Sequence, residues 1–387
     1  MKKIKVIAVS DSFKSAASSA EIGESIKKGF ISRSDAFDVT VLPVGDGGEG
    51  TAKALMCALQ AEKRYVKVSD THREKVLLEY GIFRKNGKIV GFFDMASAAG
   101  ISYSKKHASK IMSATTYGVG EAIKHLVSEE NCNEILIGLG GSGTNDGGIG
   151  ALSALGAAFF DKDLRPIDAG MGASILSDVR VCDLSKALNA LLNVRLTLLY
   201  DVSVPLMGEN GASRMFSKQK GASVSEADIL EKSMKNFASV MDKYAGRCVS
   251  AEQGTGAAGG LGYALRLIGG ELVSGASYVL ELLDFRHIAR EADIVITGEG
   301  KTDIQTAAGK LPSIVAEYSQ PTPVICLCGF SQPTRELYEK GITSVFSIAD
   351  APMTFSDSVS RTLELVEKEV YNIAGLILSL LHSKNKT

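Results

Sequence analysis

IKVIAVSDSFKSAASSAEIGESIKKGF, residues 4–30, is the stretch on which the fold class turns. Its apolar run Ile4 to Val9 has the length of a buried strand. The polar loop that follows ends on Ser18-Ser19-Ala20-Glu21, where a serine three residues before a glutamate can cap a helix reciprocally. An amphipathic stretch then runs to about Phe30, so the segment predicts strand, loop, helix. A second round begins at Phe37 to Leu42, passes the glycine loop Gly45 to Gly50 and enters a helix-like stretch, Thr51 to Leu59. A βαβα order of this kind predicts a parallel sheet.

The rhythm returns near the C-terminus. Asp293 to Thr297, Pro323 to Cys328 and Val345 to Ile348 read as strands, alternating with helices at Pro312 to Tyr318, Thr334 to Lys340 and beyond Asp357. The middle differs: Arg64 to Val68, Lys75 to Phe83 and Lys88 to Phe93 are closely spaced β-rich runs, and Asn86-Gly87 supplies hairpin-turn chemistry. We therefore expect an α/β protein of two domains. A flavodoxin/Rossmann-like parallel sheet would be built from both chain ends, 1–68 and 282–387, with a mixed α/β domain, 69–281, inserted between them.

The 43 basic and 44 acidic residues nearly cancel, so no overall positive field gathers nucleic acid or anionic lipid. Small molecules are the expected partners, with no nucleic acid and no membrane, and a homodimer is compatible with the sequence. The start, MKKIKVIAVS, lacks the cleavage site of a signal peptide, which leads us to expect a cytoplasmic location. Six scattered cysteines and five dispersed histidines show no metal-ligand spacing, so core thiols are expected rather than a zinc site.

Chemistry concentrates in the loops that follow strands. G-x-G-x-x-G occurs at Gly45, Gly138 and Gly254, and three matches in one chain show how little the pattern discriminates. The Gly138 match comes nearest to a dinucleotide fingerprint, with a strand before it and Asp161 or Asp163 after it, and it keeps a nicotinamide-dependent hydroxy-acid dehydrogenase as one alternative. In the Gly45 loop, Asp46 and Glu49 would repel phosphate unless a cation intervened, so Gly47, Gly48 and Glu49 suit a metal or a substrate hydroxyl. The stretch Gly138 to Gly150 offers backbone N–H groups at a strand-to-helix junction, a natural anion site. Gly140, Gly141, Ser142, Thr144 and Asn145 are its candidate binders, and Asp146 could hold a divalent metal.

Gly298 to Lys310 adds Lys301 and Lys310 to neutralise phosphate, with Glu299 and Asp303 to hold magnesium or act as base. The segment is not a Walker A loop, because Lys310 is followed by Leu311 rather than Ser or Thr. Asp11 and Lys14, between the first strand and first helix, occupy the same kind of position. A non-catalytic sugar-acid binder is the other alternative, and it would have little use for so many carboxylates and lysines.

In order along the chain, SDSFK (10–14), PVGDGGEGT (43–51), FFDMASAAGI (92–101), TTYGVGEAI (115–123), GLGGSGTNDGG (138–148), DVSVPLMGENGA (201–212), QKGA (219–222), GTGAAGGLG (254–262) and ITGEGKTDIQTAAGK (296–310) resemble the bacterial glycerate kinase family with a flavodoxin-like domain. Departures are small: Ser10 and Ser15 flank a site commonly read PDSFKG, glycine replaces alanine at 45 and 143, and Lys301-Thr302-Asp303 stands where Arg-Ile-Asp is frequent. The resemblance implies ATP- and magnesium-dependent phosphorylation of glycerate, in a cleft between two domains. Asp303, Asp46, Lys14 and Asp11 would be its catalytic residues, and Asp146 and Glu299 its magnesium ligands.

Overall fold

The computed structural model describes residues 3–106, 110–201, 203–332 and 334–384. Among them the strands are β1 (Ile4–Ala8), β2 (Phe37–Val41), β3 (Glu62–Ser69), β4 (Lys75–Lys85), β5 (Lys88–Asp94), β6 (Glu134–Gly138) and β7 (Ala158–Phe160). They continue with β8 (Val181–Asp183), β9 (Arg195–Tyr200), β10 (Glu271–Ser274), β11 (Ile294–Thr302), β12 (Val324–Ser331) and β13 (Ile342–Ser347). Packing divides the chain into two compact units. One runs to Asp46 and adds Lys53–Gln60 and the chain from Ala276; the other holds Gly47–Ala52 and Ala61–Gly275.

The first unit carries a five-stranded sheet in the order β13-β12-β11-β1-β2, parallel at every junction. Counted along this unit's own chain, that is 2-1-3-4-5, the flavodoxin-like order, and it reverses direction between β1 and β11. Strands buried on both faces read as continuous apolar runs, which is why IKVIAV needs no alternation. Val6 and Ala8 pack with Ile22, Ile26, Val366 and Val370, from the helices Ser19–Arg33 and Thr362–Lys384. The first helix has the capping box expected of it: Glu21 N donates to Ser18, and Ser18 N donates to Glu21 Oε2 at 2.9 Å. Cys326 and Cys328 are core residues of β12, and burial raises both thiols.

The second unit is built on a mixed sheet, β10-β9-β6-β5-β4-β3, antiparallel from β3 to β5 and parallel from β5 to β10. It corrects the boundary expected at 68. All eight residues of β3 pair with β4, so residues 61–68 belong with the meander rather than with the chain-end sheet. The expected boundary at 282 also moves, since the chain from Ala276 joins the first unit. No helix among the described residues is long and apolar enough to cross a membrane.

Candidate functional site

In the mixed-sheet unit the parallel strands β5, β6 and β9 end in register, with Asp94 beside Gly138 and Gly138 beside Leu199. Two loops sit at these carboxyl ends. Asp94 is buried and accepts from Gly50 N at 2.8 Å and Ala52 N at 3.0 Å, while Thr51 Oγ1 accepts from Gly47 N and donates to Gly48 O. Gly140 N donates to Gly47 O at 2.9 Å, tying the second loop to the first. Only glycine fits at 140, because a Cβ there would lie 2.4 Å from the Cα of Gly48. The third glycine segment packs against this loop: Gly259 O accepts from Gly147 N.

Asp146 does not have the role expected of it. It is fully buried, and its oxygens accept from Thr116 N (2.8 Å), Thr116 Oγ1 (2.9 Å), Gly148 N (3.0 Å) and Gly150 N (3.3 Å). Burial raises its pKa, and the donors oppose that shift. A metal would have to displace these bonds, so the ligand role proposed for Asp146 does not fit. The same residues also occupy the first N–H groups of the following helix, Ile149–Ala154, since Asp146 accepts from Gly150 N and Thr116 Oγ1 from Ala151 N. A dinucleotide pyrophosphate at this helix would have to displace those bonds. Asp161 instead closes a local turn, accepting from Asp163 N and Arg165 N.

The positive charge of this loop comes from elsewhere in the chain. Lys220, only 4% exposed, donates to Thr144 O at 2.8 Å and to Ser142 Oγ at 3.1 Å. Burial lowers its pKa to about 8 against the pull of Asp146. Asn145 is fully buried and donates to Ser213 Oγ at 2.9 Å, and its Oδ1 has no hydrogen-bond partner. Ser142, Thr144 and Lys220 thus form one polar cluster, and Asn145, next in the chain, pairs with Ser213. A buried amide oxygen without a donor is costly, and a ligand hydroxyl would satisfy it.

In the parallel-sheet unit, Ser10–Lys14 leaves β1 next to the end of β11, and both Asp11 N and Ser10 Oγ donate to Gly298 O at 3.0 Å. The strand ends later than the sequence suggested. Gly298–Thr302, read as loop, continue β11, with Glu299 opposite Cys328 and Lys301 opposite Phe330. Glu299 is buried; Thr306 Oγ1 donates to it at 2.5 Å and Lys310 Nζ stands 3.7 Å away. Burial raises its pKa despite both neighbours. Asp303 caps the short helix Ile304–Ala307, accepting from Gln305 N at 2.9 Å, with Lys301 Nζ at 3.2 Å. Partial burial would raise its pKa, but Lys301 and Gln305 N outweigh that and hold it below the usual range.

The expected residues therefore fall into two sets. Glu299, Lys301, Asp303 and Lys310 are brought together, with Asp11 and Lys14 on the neighbouring loop; Gly47, Gly48, Glu49, Gly140, Gly141, Ser142, Thr144 and Asn145 line the ends of β5, β6 and β9. Asp46 is buried immediately before Gly47. Lys220, Thr116 and Asp94 were missed. Each lies in a quoted segment, QKGA, TTYGVGEAI or FFDMASAAGI, but nothing local to these segments marks the residue as buried.

The model of the glycerate kinase family matches residues 6–378. A glycerate kinase of Bacillus subtilis (strain 168) is 36% identical over 97% of this chain and 98% of its own length. A glycerate 2-kinase of Escherichia coli (strain K12) is 34% identical over 97% and 98%. A crystal structure from Salmonella typhimurium LT2, whose protein bears the provisional name glycerate kinase 2, matches with a TM-score of 0.83 and 31% identity, covering 98% of this chain and all of that one. The chain belongs to the glycerate kinase family, a family of phosphotransferases.

Proposed function

We propose that this protein transfers the γ-phosphoryl group of ATP to a hydroxyl of D-glycerate. The observation that carries the reading is the group Glu299, Lys301, Asp303 and Lys310, at the carboxyl end of a parallel strand beside the point where the strand order reverses. Phosphoryl transfer asks little covalent chemistry of a protein. It needs cations around the spreading phosphate charge and a carboxylate near the attacking hydroxyl.

Lys301 and Lys310 neutralise phosphate oxygens, and Lys14 on the adjoining loop adds a third ammonium. The carboxylates exchange the roles the sequence suggested. Asp303, held ionised by Lys301 and Gln305 N, suits a cation, whereas Glu299, with its raised pKa, suits the hydroxyl proton. Among the described residues no three His, Cys, Asp or Glu side chains converge as a metal site. Magnesium does not require three, since it keeps several waters and takes one or two carboxylates together with substrate phosphates. Asp303 fits that demand, and the ion would supply charge neutralisation between nucleotide and protein.

Lys220, with Ser142, is the candidate partner of the glycerate carboxylate, and Asn145 Oδ1 the acceptor for a glycerate hydroxyl. Asp46 and Glu49 remain the candidates for holding a second hydroxyl. The name of the E. coli relative favours the 2-hydroxyl as acceptor. The test is ADP release from ATP and magnesium, with and without D-glycerate. Glycerate-dependent ADP is the expected result; glycerate-dependent change in nicotinamide absorbance without ADP would overturn the reading.

A further inference from the structure

The carboxyl edge of the parallel sheet also bears a cavity of about 410 Å³, of whose lining the chemistry above uses only Lys14. Its lining includes Phe13, Lys14, Gly300, Gly329, Phe330 and Phe355. We propose that this cavity holds the base and ribose of the purine nucleotide that donates the phosphoryl group, an assignment that rests on the kinase reading above.

Four features point to a nucleoside. First, Glu299 pairs with Cys328 and Lys301 with Phe330, so Gly300 and Gly329 lie opposite each other on β11 and β12. Two adjacent residues without side chains leave bare backbone in the lining, against which a planar base can lie. Second, Phe330 and Phe355 line the same cavity while 55% and 80% exposed, so two aromatic rings are held out toward solvent where a base could stack. Third, the volume falls in the range of small-molecule sites. Fourth, a charge gradient starts here: Lys14 lines the cavity, and Gly300 is bonded on either side to Glu299 and Lys301. A ligand apolar at one end and polyanionic at the other matches that sequence of surfaces. The cavity lies beside the β1–β11 reversal, where open parallel sheets bind their ligands.

Two substitutions test this without unfolding the protein. Phe355→Ser changes a ring that is mostly exposed. Gly300→Ala adds a Cβ whose nearest neighbours would be 3.8 and 3.9 Å away, so it fills the lining without a clash. KM for ATP should rise by about fivefold or more in Phe355→Ser, the loss of one stacking contact. KM for glycerate, and inhibition by inorganic tripolyphosphate, which has no base, should stay unchanged. Gly300→Ala should raise KM for ATP in the same selective way. An active wild-type enzyme with KM for ATP unchanged in both variants would overturn the assignment and leave the kinase reading intact. A wild-type protein that phosphorylates nothing would sink the reading itself. Equilibrium binding of fluorescent N-methylanthraniloyl-ADP to the full chain then decides the cavity: loss of affinity in Phe355→Ser supports it, and no binding, or equal binding, overturns it.

Discussion

Gly138 to Gly150 and Gly298 to Lys310 look alike as sequence, since each follows a strand and mixes glycine, hydroxyl and carboxylate groups, yet the protein uses their charges in opposite ways. In the first, Asp146 is sealed inside and bound by the loop's own N–H groups and by Thr116, and the cation arrives from Lys220. In the second, Asp303 and Glu299 sit beside local lysines, 301 and 310. The lesson is that a carboxylate in a glycine loop is chemical or structural according to how many donors its oxygens already accept from.

The largest expected effect follows from Asp146. Asp146→Ala leaves several buried donors without an acceptor and should lower the unfolding free energy by about 3–5 kcal/mol in urea titration. A loss below about 1 kcal/mol would erase the contrast. Asp303→Asn is the counterpart. Asparagine also caps helices well, so stability should hardly change, while kcat falls by about a hundredfold. Partial rescue by raised magnesium would identify Asp303 as a cation ligand, and near wild-type turnover would reduce it to a cap.

Much of this was legible in sequence, for physical reasons. Runs such as IKVIAV and VICLC have no polar alternation because both faces of their strands are covered. The Ser18–Glu21 box is local by construction. What stayed hidden is non-local. Asp146 takes its donor from Thr116, thirty residues earlier, and Lys220 is buried by a loop near residue 142. The boundary at 68 failed because strand β3 finds its partner only after a turn, at Lys75–Lys85.

Lys220 sharpens the comparison through pH. Its folded pKa, about 8, lies below the ordinary 10.5, so the folded protein releases this proton first as pH rises. Stability should therefore rise between about pH 8 and 10.5, where the unfolded chain binds more protons. KM for glycerate should meanwhile rise by about tenfold per unit above pH 8, as the anion loses its cation. Lys220→Met should have a raised KM that no longer responds to pH in this window; a persisting response would place the titrating group elsewhere. The smallest effect belongs to Thr306→Val, which removes the hydroxyl donating to Glu299 and so disfavours its ionised form. The acid limb of the kcat profile should move up by about half to one pH unit. An unmoved limb would mean that Glu299 is not the proton acceptor.

The most direct test of the whole account is the phosphorus NMR spectrum of the products formed from ATP, magnesium and D-glycerate. The expected products are ADP and a new phosphomonoester, whose signal is split into a doublet by the single hydrogen on the carbon at position 2. A triplet, from the two hydrogens at position 3, would keep the kinase and move the acceptor. ATP left intact, or hydrolysed only to inorganic phosphate, would contradict the central claim.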